Sequence, residues 1–186
     1  MKYEVLGEET VFEEFIAVKK GDIRRGSNEV YSRVRVERDD AAVMFIYNVE
    51  KNTIVLVEQF RYAVHKHNSK PILEIPAGKV DAGESPKDAA VRETLEECGY
   101  QLHKANLTKL GTFFVSPGYT SERFVLFYTE VKNGDKIEAG GGLKSENEFI
   151  NVVEMSPEAF YNAISKGEIC DAKTALAAQM VKNKFT

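Results

Sequence analysis

Apolar residues follow two rhythms along the chain. From residue 41 onward, runs of β-branched and aromatic residues, "AAVMFIYNV" (41–49) and "TIVLVEQF" (53–60), flank the turn residues "EKN" and predict paired core strands. "ILEIPAG" (72–78), "LTKLGTFFVS" (107–116), "ERFVLFYTEV" (122–131) and "FINVVEM" (149–155) predict four more. Three stretches carry helix signals instead. Ser85, Pro86 and Asp88 supply an N-cap, a first-turn proline and an acid three residues after the cap, and Gly99 is placed to stop the helix. Ser156-Pro157 opens a second helix ending near Gly167, and Asp171 caps a third over "AKTALAAQMVKNK". Residues 1–38 are polar, with β-like alternation only in "VYSRVRVER". They predict a small separate antiparallel β element, and 39–186 the main domain. Mixed strands, few helices and long loops at 62–71 and 134–148 predict an α/β (α+β) chain: an α/β/α sandwich with a mixed sheet.

At about 100° per residue, the helix over 85–98 divides into arcs. Ala90, Val91, Thr94, Leu95 and Cys98 form one arc, expected to pack on the sheet, and Arg92, Glu93, Glu96 and Glu97 form the opposite one. Glu93 and Glu97 stand one turn apart, with Glu96 beside them, so the carboxylates repel. A cation would relieve this, and carboxylates on adjacent turns offer the hard oxygens that Mg²⁺ or Mn²⁺ takes. On the helix alone, a solvated acidic face with Arg92 as intrahelical partner explains the same residues.

Composition narrows the choice. The net charge of −4 and pI near 5.5, with no basic patch, argue against a nucleic-acid partner. An acidic protein that handles phosphates needs metal ions to offset the repulsion. The N-terminal segment has no apolar signal core, and the apolar runs are too short to span a bilayer, so a cytoplasmic location and no membrane partner are expected. Cys98 and Cys170 have neither pairing nor zinc spacing and are expected to be free thiols. His65 and His67 are expected in a solvated turn.

The spacing around the acidic helix supports the cation. Gly78, Glu84, Arg92, Glu93, Glu96, Glu97 and Gly99 stand at the intervals of the Nudix box. Seven fixed positions at background frequencies of about 7% coincide by chance in roughly one window in 10⁸. Thr94 departs from the apolar residue expected there. The chain thus resembles the Nudix hydrolases, over roughly residues 30–180. "VEQFR", "LEIPAGKVDAGES", "SPGYTSER", with Pro117 soon after the box, and "GEICDAKT" resemble the branch that hydrolyses ADP-ribose and other nucleoside diphosphate sugars.

The resemblance implies a Nudix-type sandwich and a division of labour. The Ala77 carbonyl, Glu93, Glu97 and Glu148 would hold Mg²⁺ or Mn²⁺. Glu96 would support the cluster, Glu97 would share in catalysis, and Glu146 would be the base on the attacking water. Arg92 would orient the carboxylates, and Gly78 belongs to the same framework. Arg61 would reach the diphosphate, Ser116 and Glu122 would contact substrate from the loop after the box, and Arg33 and Arg38 would help hold the nucleotide from an N-terminal element exchanged in a homodimer. Glycines 140–142 would let the loop carrying Glu146 close. ADP-ribose is the expected substrate, giving AMP and ribose 5-phosphate. "AGGGL" and "KGEICDAKT" also resemble the GDP-mannose branch, which gives GMP and mannose 1-phosphate. A Nudix-fold binding module without catalysis is the remaining alternative, and it fits poorly with intact box glutamates.

Overall fold

The computed structural model describes residues 2–27 and 29–185, which form two compact units, Met1–Asp40 with Phe113–Phe124, and Ala41–Thr112 with Val125–Thr186. In the first, strands β1 (Tyr3–Glu13), β2 (Ala17–Arg25) and β3 (Glu29–Glu37) make an antiparallel meander. The expected alternation in "VYSRVRVER" is β3; β1 and β2 come from sequence too charged to show a periodic apolar face. No described residue of these three strands is buried. The segment after the predicted helix is stitched to β3: Val36 N–H donates to the Tyr119 carbonyl at 2.7 Å, and Ser121 N–H to the Val36 carbonyl at 3.0 Å.

A mixed sheet supplies most of the second unit. Its strands are β4 (Ala41–Asn48), β5 (Thr53–Gln59), β6 (Ile72–Glu74), β7 (Ala77–Lys79), β8 (Thr108–Phe114), β9 (Arg123–Val131) and β10 (Ile150–Met155), in the order β10-β5-β4-β9-β8, with β6 beside β5 and β7 beside β4. The stretch 72–78 thus makes two short strands rather than the single one expected. The chain pairs Glu74 with Val57 on β5, then Ala77 with Val43 on β4, and the switch falls at Pro76, which has no N–H to give a ladder.

Helices α1 (Pro86–Cys98), α2 (Pro157–Ser165) and α3 (Ala172–Val181) begin at the caps expected from sequence. Ser85, Ser156 and Asp171 each accept an N–H three residues on. The alternation of β4 sorts the layers. Ala42, Met44 and Ile46 join Ala89, Ala90 and Cys98 in a core against α1. Phe45 faces the other way, its ring 5.7 Å from Phe160 of α2. Helices on both faces of one sheet complete the expected α/β/α sandwich. No helix among the described residues is long and apolar enough to cross a membrane.

Candidate active site

The site grows from the buried stripe of α1. Its buried residues are Ala89, Ala90, Glu93, Thr94, Glu97 and Cys98, so Glu93 and Glu97 do not lie on a solvent arc opposite the packed one. On the wheel Glu97 stands about 20° and Glu93 about 60° from Ala90, at the edge of the Ala90-Thr94-Cys98 stripe, close enough to be covered with it. Glu97 is 2% exposed and Glu93 8%.

Backbone placed by β7 meets these carboxylates. Ala77 N–H donates to Glu97 Oε2 at 3.0 Å. Glu93 lies over Gly78 so closely that a Cβ there would stand 1.7 Å from its carboxyl carbon. A side chain at Gly78 would therefore have to displace the Glu93 carboxyl.

Arg92 ties the acidic residues together. Its Nη1 donates to Glu93 at 2.8 Å and to Glu96 at 3.1 Å, and Nε and Nη2 donate to Glu84 at 3.2 and 3.0 Å. These bonds raise the Arg92 pKa and lower that of Glu84. They do not compensate the two deep carboxylates. Burial pushes Glu93 up to about 7, with the charges of Glu96 and Glu148 adding to it against the pull of Arg92. Burial, Glu93 and Glu148 push Glu97 up to about 8 against the Ala77 N–H and Arg61.

Glu148 is half-buried on the loop before β10. Its Oε2 accepts the Leu143 N–H at 3.2 Å, and its charge reaches both deep carboxylates. Glu146, in the single 3₁₀ turn Lys144–Glu146, is exposed. The glycines before it are not simply a flexible tip. Gly141 N–H donates to the Glu97 carbonyl at 2.9 Å and Gly142 N–H to the Glu96 carbonyl at 3.0 Å. Gly140, at φ +75°, comes so near the last turn of α1 that a Cβ would be 2.5 Å from the Glu97 carbonyl oxygen. These glycines cap the helix through close approach.

Arg61 follows β5. Its Nε donates at 2.7 Å to Glu74, a carboxylate only 3% exposed. Burial alone would lower the Arg61 pKa, but Glu74 raises it. Lys173, at the start of α3, contacts the other Glu74 oxygen and pairs with Asp171 at 3.1 Å. Sequence reasoning missed Glu74, Lys173 and Asp171 as a group, because 99 positions separate Glu74 from Lys173; their one visible trace was the "LEIPAG" and "GEICDAKT" segments.

The remaining expected substrate residues belong to the first unit. Arg33 is exposed, its guanidinium 4.5 Å from the Tyr31 ring centroid. Arg38 N–H donates to Ser121 Oγ at 2.8 Å, and its guanidinium is 5.6 Å from the Phe15 centroid. The Ser116 carbonyl accepts the Tyr119 and Thr120 N–H groups at 3.1 Å each, closing a turn. Glu122 N–H donates to Thr120 Oγ1 at 3.2 Å.

The donor chemistry suits a hard divalent cation: two buried, under-compensated carboxylates with a third acting on them by charge. Among the described residues no three His, Cys, Asp or Glu groups already converge on one point, so the fit rests on donor type and burial rather than on an assembled shell.

Comparison with known proteins agrees with this geometry. The chain is 34% identical, over 193 aligned positions, to the ADP-ribose pyrophosphatase of Haemophilus influenzae, with 98% of this chain and 87% of that one covered. It is 36% identical, over 160 positions, to the GDP-mannose pyrophosphatase of Citrobacter koseri, covering 85% and 78%. The fold matches a crystal structure of an ADP compounds hydrolase at a TM-score of 0.78 and 20% identity, over 98% of this chain and 94% of that one. The NUDIX domain model matches residues 37–175, and the chain belongs to the Nudix family.

Proposed function

We infer that the protein is a metal-dependent pyrophosphohydrolase of nucleoside diphosphate sugars, with ADP-ribose as its principal substrate. The observation that carries this reading is the pair of buried carboxylates, Glu93 and Glu97, left without enough positive charge on a rigid helix. The relative named ADP-ribose pyrophosphatase, matched along almost the whole chain, supports the substrate.

Divalent metal use is a property of the family, and Mg²⁺ or Mn²⁺ held by Glu93, Glu97, Glu148 and the Ala77 carbonyl would supply positive charge against the diphosphate and the attacking water. The protein's own groups do the rest. Arg61 offers the diphosphate oxygens two terminal nitrogens that have no hydrogen-bond partner among the described residues. Glu146, exposed on its turn, takes the proton from the attacking water. The water oxygen bonds to phosphorus as the bridging P–O bond breaks, giving AMP and ribose 5-phosphate. Arg92 keeps Glu93, Glu96 and Glu84 in register, and Glu96 and Glu97 complete the catalytic cluster. By the family resemblance, Ser116, Glu122, Arg33 and Arg38 would meet the rest of the substrate.

The test is a panel of nucleoside diphosphate sugars with Mg²⁺ and chromatographic identification of products. AMP from ADP-ribose is expected to dominate. GMP release from GDP-mannose far above AMP release would favour the second reading, which the relatives named GDP-mannose pyrophosphatase support. Glu146→Gln should lower kcat roughly 10²-fold with little change in KM; an unchanged kcat would move the base to Glu96 or Glu97.

A homodimer is part of the same reading. The three-stranded N-terminal sheet has no buried residue and exposes Val5, Val11, Phe12, Val30 and Val34, so a second copy that covers it would supply the burial it lacks.

A further inference from the structure

Glu74 is a charged group that the reaction does not consume, and it is among the most deeply buried carboxylates in the protein, at 3% exposure. An isolated carboxylate in that position would be strongly disfavoured. Both of its oxygens are taken by cations: Arg61 Nε on Oε1 and Lys173 Nζ on Oε2. Lys173 is balanced in turn by Asp171, which makes a quartet of two positive and two negative groups. Asp171 also caps α3, accepting the Thr174 N–H at 2.9 Å and its O–H at 2.6 Å, while Thr174 Oγ1 accepts the Ile75 N–H at 2.9 Å. The quartet therefore bolts β6 to the start of α3 at a fixed spacing.

One consequence concerns Arg61. Its Nε edge is spent on Glu74, and the guanidinium is planar, so the direction of the remaining fork is set by where Glu74 stands. The Nη1 and Nη2 edge has no hydrogen-bond partner among the described residues, although the charges of Glu97 and Asp171 act on the guanidinium, and the side chain stays 39% exposed. A free arginine would lose rotamer freedom each time it grasped an anion, whereas this one has already lost it.

We propose that Glu74 is a positioning residue which, held by Lys173, aims the free edge of Arg61 at the diphosphate of the substrate. The idea rests on the functional reading above, since it takes a diphosphate as the ligand of Arg61. It requires Arg61 and Glu74 to act as one unit.

A double-mutant cycle tests this, read as KM and kcat with ADP-ribose and as binding of ADP-ribose in EDTA by calorimetry. Arg61→Ala and Glu74→Ala should each weaken binding and raise KM roughly tenfold, and the double variant should match Arg61→Ala within about twofold. Multiplied losses in the double variant would overturn the proposal, because Glu74 would then act apart from Arg61. Should Glu74→Ala not fold, Glu74→Gln, which keeps the shape and removes the charge, is read in the same cycle. Independently of substrate, the Arg61 Nε–H should give a slowly exchanging NMR signal that Glu74→Gln weakens; a signal unchanged by that substitution would also overturn the proposal. Wild-type protein that binds and hydrolyses no nucleoside diphosphate sugar, while the NMR signal behaves as expected, would instead sink the functional reading and with it the diphosphate as ligand.

Discussion

At the scale of single residues, two positions in the box make opposite predictions. Gly78 has no room for a side chain because the Glu93 carboxyl occupies the space a Cβ would take. Gly78→Ala must push Glu93 away, and displacement of a catalytic group by about 1 Å costs roughly 10²-fold in rate. The expected result is that loss in kcat/KM with a weaker response to Mg²⁺ while the far-ultraviolet spectrum is kept; full activity would remove Glu93 from the site. Thr94 is the converse case. It is fully buried on α1, and its hydroxyl has no hydrogen-bond partner. Thr94→Val keeps the shape and deletes the orphaned group, so it should stabilise by about 1 kcal/mol, or about 2–4 °C in Tm for a chain of this size. The box glycine and glutamates were legible in sequence because their spacing is local. The partnership of Glu74 with Lys173 was not, since nothing local to either residue encodes the other.

At the scale of elements, the acidic helix shows where periodicity reasoning stops. An arc assigned by side-chain polarity puts every glutamate outside, yet β7 and the 140–142 segment lie over the flank of α1 and enclose Glu93 and Glu97. Their covering is tertiary, so the sequence of α1 cannot announce it. It has a measurable pH signature. Both carboxyls are raised, from the usual 4.5 to about 7 and about 8. The folded protein therefore keeps protons that the unfolded chain has already released, and metal-free stability falls as pH rises from about 5 to about 8. A cation must displace those protons, so its apparent affinity climbs through the same window. Thermal melts in EDTA should drop across that range, and the gain on adding Mg²⁺ should be greater at about pH 8 than at about pH 6. A gain independent of pH would contradict metal binding by this pair. The strands were read well where β-branched runs are long, as in β4 and β5, and poorly where Pro76 redirects pairing or where β1 and β2 carry charge on both faces.

At the scale of the whole molecule, the sandwich was legible because its strand and helix signals are strong and sequential. The homodimer proposed above rests on the family resemblance and the bare N-terminal sheet, since no pattern within one chain specifies a second. Three strands without a buried residue are too little to be stable alone. Light scattering on the full chain should give twice the mass of 20.9 kDa, and a variant lacking residues 1–38 should run as a monomer with impaired turnover; a monomeric full chain would rule out the exchanged dimer. The glycine cap on α1 carries a last consequence. Because the Gly141 and Gly142 amides donate to the carbonyls of Glu97 and Glu96 in the final turn of the helix, that turn cannot fray while the loop leading to Glu146 and Glu148 stays docked. In hydrogen–deuterium exchange, the Gly141 and Gly142 amides and those of the last turn of α1 should open as a single cooperative unit with one shared protection factor.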